Sequence, residues 1–183
     1  MNEENDRRLN ENTEHGKWKP TWKDIILYVL LGILFIGQVV LCFISYNGAG
    51  WDFVLYIGWA VFALSMIIGW LSRIAFEKKG KSPDGESFIH TSVVVESGIY
   101  AIVRHPMYLS GILFFISLVL ISQHWLSMIF NVPVIVYFYI STWSEERSSI
   151  EKFGDAYMAY IQRVPRMNLL LGIIRLLRRN VQK

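Results

Sequence analysis

The chain has 183 residues, enough for one domain, with 53% of them apolar and a formal net charge of only +3. The apolar residues come in blocks and not at globular periods, which places the chain in the membrane class, and the charge is too small and scattered to suit a nucleic acid. A single cysteine, Cys42, excludes a disulfide framework within the chain, and His15, His90, His105 and His124 have no metal-ligand spacing, so no metal is expected.

Residues 1–20 are polar and of mixed charge, unlike the short basic start of a cleaved signal peptide. They read as a disordered tail ending at the interfacial stretch Trp18 to Lys23, so the chain divides into a polar tail over 1–23 and a membrane domain over 24–183. Ile25–Ser45 follows without a charge, and at 1.5 Å per residue it matches the roughly 30 Å hydrocarbon core. A turn over 46–52 with two glycines leads to a second uncharged span, Phe53–Ser72, and the two are expected to form an antiparallel hairpin.

Residues 73–104 change character. The stretch from Glu77 to Ser87 is polar and rich in breakers, while Val93-Val94-Val95 is a β-branched run too brief to cross anything. A connection this long inside a membrane domain is more often functional than idle. Met107–Ser122 is a third apolar segment, short for a span, and Gln123-His124 turns the chain into a fourth, Trp125–Thr142, with Pro133 expected to kink it. A separate polar helix is expected over Ser144–Ile161, interrupted at Phe153-Gly154. Leu169–Leu177 is too short to span, and reads as an amphipathic helix in the interface or a fifth helix buried against the bundle.

Four spans place every lysine and arginine on one side, because the opposite loops, 46–52 and 122–124, contain none. The expectation is an all-α integral membrane protein with four transmembrane helices, a short C-terminal apolar helix, and both termini in the cytoplasm. That topology gathers the reactive groups on the cytoplasmic face. Arg104, His105 and Tyr108 cap the third span, Glu145 and Glu146 lie where the fourth leaves the membrane, and the two-residue turn makes these spans antiparallel neighbours. His105 and Glu146 are therefore expected to approach each other. A carboxylate at membrane depth is costly unless paired and is a functional candidate by default. A blander reading remains for each group alone: Arg104 as a charge anchor, Tyr100 and Tyr108 as belt residues, Pro106 as a helix-start proline.

The pattern Gly98-x-Tyr100-x-x-x-Arg104-His105-Pro106-x-Tyr108-x-x-Gly111, followed by Glu145-Glu146 and by Phe153-Gly154-x-x-Tyr157-x-x-Tyr160-x-x-Arg163-Val164-Pro165, resembles the isoprenylcysteine carboxyl methyltransferase family over about Ser92 to Arg166. The resemblance implies a membrane methyltransferase that uses S-adenosylmethionine, releases S-adenosylhomocysteine and has no Rossmann domain. It agrees with the lack of a GxGxxG after a strand. Position by position it implies cofactor contacts from Ser92, Val93, Val94 and Val95, then Tyr100, His105, Pro106, Met107 and Tyr108, and finally Glu146, in a cytoplasmic pocket formed within residues 92–166.

The implied acceptor is the carboxylate of an isoprenylated cysteine, a lipophilic substrate entering from the bilayer, with membrane lipids around it and no obligate protein partner. Such a carboxylate is already ionised and needs no general base, so no dedicated catalytic residue is expected. The family's eukaryotic members carry a substrate-binding arginine where this chain has Thr142, which leaves Arg163, Arg166 or Arg104 to orient the acceptor. A phospholipid methyltransferase is the nearest alternative. An NADPH-dependent membrane reductase would need more arginines for the 2′-phosphate, and nothing positive favours a non-catalytic binding module.

Overall fold

A computed structural model describes residues 21–79 and 94–181. Among them there is no strand, and the chain folds into six α-helices: α1 (Trp22–Ile44), α2 (Asp52–Lys79), α3 (Pro106–Ser122), α4 (Trp125–Phe153), α5 (Asp155–Arg163) and α6 (Leu169–Val181), with a 3-10 turn over Gly98–Ala101. The start of α1 is set by a reciprocal cap, Thr21 accepting from the Asp24 amide while the Asp24 carboxylate accepts from the Thr21 amide.

Three helices, α1, α2 and α4, are long and apolar enough to cross a membrane. With 17 residues α3 is shorter, about 26 Å. By contrast α2 and α4, with 28 and 29 residues, are each over 40 Å long and outrun a hydrocarbon core of roughly 30 Å. Their excess carries the charges from Arg73 to Lys78 and from Glu145 to Lys152. Two expectations are corrected here. The second helix runs seven residues beyond Ser72, to Lys79, and the fourth span and the polar helix after it are one continuous helix. Nothing between Thr142 and Ser144 breaks a helix. The break falls at Gly154, whose φ of +55° is open to glycine and strained for other residues.

The first two helices are joined by a short turn, yet they do not pack chiefly on each other as the expected hairpin would. Instead α2 lies along α3, while α1 rests on α4 and α3. The reason is a stripe of small residues on α2. A Cβ at Gly58 would sit 2.9 Å from Ile121, one at Gly69 would sit 3.0 Å from Ser110, and Ser65 and Ser72 are fully buried between them. Small side chains let two backbones approach where no hydrophobic effect drives association. Inside the bundle, Gln38 of α1 donates to Ser127 of α4, and Asn131 of α4 donates to the Phe115 carbonyl of α3 at 2.7 Å. Most of the remaining surface of α1 is exposed aliphatic and aromatic side chain, as suits contact with lipid.

Candidate active site at the helix ends

The segment from Gly98 to Pro106 connects the 3-10 turn to α3, and its backbone is held from several sides. The Tyr160 hydroxyl donates to the Tyr100 carbonyl at 2.8 Å, and Arg179 donates to the Ala101 carbonyl at 3.0 Å. The Arg104 and His105 amides donate to the Pro165 and Arg166 carbonyls at 3.0 and 3.2 Å. Pro106 opens α3 at its first turn, where a missing N–H costs nothing. This segment therefore presents Arg104 and His105 to the polar end of α4 from a fixed backbone.

Glu146 is the centre of the resulting cluster. Its Oε1 lies 3.1 Å from His105 Nε2, 2.7 Å from Arg104 Nη1 and 3.0 Å from Arg166 Nε, while its Oε2 accepts from Arg166 Nη2. The side chains of Glu146 and Arg104 are each only 9% exposed, so this is a buried ion pair, and Arg166 closes it from outside, stacked over Trp143. The expected meeting of His105 and Glu146 is present in the structure. Burial lowers the His105 pKa below its ordinary value, although Glu145 and Glu146 pull it upward. The ring is then neutral near pH 7. Its Nε2–H faces the Glu146 carboxylate, and Nδ1 becomes an acceptor turned toward Glu145, whose Oε2 is 3.9 Å away.

Beside this cluster lies a cavity of about 610 Å³, within the usual range for small-molecule sites. Of the residues expected from the sequence, Val94, Val95, Tyr100, Arg104, His105, Pro106, Met107 and Tyr108 line it. Ser92 and Val93 lie outside the described residues. Glu146 stands behind the wall, holding Arg104 and His105, and the neighbouring Glu145 is the carboxylate on the cavity surface. Arg163 is not on the wall. It grips Glu96 through two hydrogen bonds of 2.8 and 2.9 Å, tying the Val94–Ser97 segment to α5. Arg166 is likewise off the wall, on the outer side of Glu146.

The floor is aromatic. Tyr157 and Tyr160 form a buried cluster with Val164, against which Val94 and Phe153 pack, and Phe76 packs tilted against Tyr100 with ring centroids 5.4 Å apart. Burial raises the pKa of Tyr100 and Tyr160, so both remain neutral phenols. Sequence reasoning missed Phe76, Phe138, Ser148, Ser149 and Lys152, which also line the cavity. A signal existed for part of this set: Glu145, Ser148, Ser149 and Lys152 recur at i, i+3, i+4 and i+7, one face of a continuous helix. It was hidden by dividing α4 in two. Arg104 Nε and Nη1 are buried without a hydrogen-bond partner, Nη1 being ion-paired to Glu146, so Nε stays an unsatisfied donor inside the wall.

An all-helical membrane protein with an aromatic, charged cavity where its long helices end is the class that fold and site define. A family model described as phospholipid methyltransferase matches residues 53–156, more than half of the chain, covering the Gly98–Gly111 block and Glu145-Glu146 and ending before Tyr157. The chain belongs to the phospholipid methyltransferase family, and so to the membrane methyltransferases. No significant match came from the curated proteins or from the solved structures.

Proposed function

We propose that this protein transfers a methyl group from S-adenosylmethionine to a lipophilic acceptor at the membrane–cytosol interface. The observation that carries this reading is the meeting, on one cavity wall, of the Arg104 guanidinium with two acceptors. The Arg104 guanidinium suits an anionic group, while Glu145 and His105 Nδ1 suit an ammonium. Together they fit the zwitterionic amino-acid end of the cofactor, and the wall of Val94, Val95, Phe153 and Tyr157 offers an apolar and aromatic surface for its adenine. When bound, S-adenosylmethionine supplies a methyl on a sulfonium, transferred by in-line displacement. The protein supplies position, alignment and exclusion of water. Glu146 holds Arg104 and His105 in place from behind.

Two acceptors fit. The motif pattern favours the carboxylate of an isoprenylated cysteine, which needs no base. The family match favours a phospholipid amine. An amine must first lose its proton, which would give Glu145 or His105 a second role beside holding the cofactor. In this reading α3 crosses the bilayer with the three longer helices, the site and both termini face the cytoplasm, and the lipid enters between α1, α3 and α4.

Calorimetry with S-adenosylhomocysteine on the detergent-purified protein tests the cofactor, and absence of binding overturns the reading. A labelled methyl group then separates the acceptors. Base-labile label on a farnesylated cysteine analogue marks an ester, and base-stable label on phosphatidylethanolamine marks an amine.

A further inference from the structure

The last helix, α6, has one face docked and one face bare. On the docked side Gly172 meets the Ile102 carbonyl so closely that a Cβ there would lie 2.0 Å from the oxygen, and Arg179 donates to the Ala101 carbonyl. On the bare side Leu170, Ile173, Ile174 and Leu177, spaced i, i+3, i+4 and i+7, are 74%, 38%, 48% and 59% exposed. Four aliphatic side chains in a row on one helix face do not belong in water. The helix is 13 residues long, too short to span, and it begins three residues after Arg166, whose guanidinium is bound to Glu146 of α4.

Charge points to what covers this face. No aspartate or glutamate follows Asp155, whereas Arg163, Arg166, Arg175, Arg178, Arg179 and Lys183 do, so the C-terminal part is cationic throughout. Arg175 and Arg178 lie on the flank away from the apolar stripe at helical spacing. A bare aliphatic stripe flanked by arginines, on a chain already set in a bilayer, is the pattern of a helix lying in the headgroup plane. We infer that α6 seats its Leu170–Leu177 face in the leaflet adjoining the cavity, with its arginines on anionic phospholipid headgroups. Each arginine near such a surface adds attraction that falls off within a Debye length. Because α6 also clamps Ala101 and Ile102, the leaflet surface then borders the same backbone that presents Arg104 and His105.

The test uses the full chain with Cys42→Ser, reconstituted in nanodiscs, and reads membrane contact and not methyl transfer, so its result is independent of the reaction. Nitroxides placed through Leu177→Cys and Arg175→Cys are compared for collision with oxygen and with an aqueous nickel chelate. The oxygen-to-chelate ratio is expected to be severalfold higher at 177 than at 175. It is also expected to rise at 177 when phosphatidylglycerol is added to phosphatidylcholine discs, a rise lost in Arg175→Gln/Arg178→Gln. Equal chelate access at both positions places the helix in solvent and overturns the inference. Shielding of 177 from both reagents, as by a second copy of the chain, overturns it too. A ratio indifferent to phosphatidylglycerol removes the anionic lipid.

Discussion

At the scale of single residues, the two adjacent glutamates do different work. Glu146 is buried among Arg104, His105 and Arg166, so Glu146→Gln leaves two guanidinium groups uncompensated. Breaking a buried pair from one side costs about 3 kcal/mol, and a matching fall in apparent Tm in detergent is expected. Glu145, whose side chain is 46% exposed on the cavity wall, is expected to behave oppositely. Glu145→Gln should weaken S-adenosylhomocysteine binding about tenfold in calorimetry and leave Tm unchanged, since it loses one charge-assisted contact. His105 sets the pH response. Its pKa is lower in the folded chain than in the unfolded one, so the unfolded chain binds more protons as the pH falls below about 6.5. Stability is therefore full above that value and declines below it, and a Tm–pH profile of His105→Asn should lose that part of the decline. The composition of this cluster was legible, because polar groups at the mouths of apolar runs stand out. Which glutamate faces the ligand was not, because adjacent residues on a helix differ by 100° and only the packing of α4 sets the zero of that angle.

At the scale of elements, glycines decide which helices touch. Gly172 is held against the Ile102 carbonyl, whereas a Cβ at Gly32 of α1 would meet nothing within 4 Å. Gly172→Val is thus expected to cost about 3 kcal/mol by overpacking against backbone and to speed amide exchange over residues 101–105. Gly32→Val should leave both Tm and exchange as they were. The hydrophobic blocks announced the starts of α1 to α4 to within a few residues but not the ends of α2 and α4, and Gly154 announced the break before α5. Partner choice was not announced. The turn over 46–52 suggested that α1 and α2 pair, but the small-residue stripe Gly58, Ser65, Gly69, Ser72 gives α2 a closer partner in α3. Such a stripe looks like any other scatter of glycine and serine until a second helix is laid against it.

At the scale of the whole molecule, the charge asymmetry of the loops makes a statement about sidedness. Epitope tags placed at either terminus are expected to be reached only from the cytoplasmic face, and a cysteine at Gly48 only from the opposite one; tags on opposite faces would mean that α3 does not cross. What the sequence determined by itself was the solvent of this protein and the chemistry of its polar end: runs of uncharged residues can be satisfied only in lipid, and charges collect where those runs stop. What only the tertiary structure decided was the division of labour at that end. Glu96 met Arg163, Glu146 met Arg104, His105 and Arg166, and Glu145 was left facing a cavity. Those pairings join residues 20 to 67 positions apart across helices that overrun the membrane, and no local pattern encodes which of several like charges comes to rest within 3 Å of another.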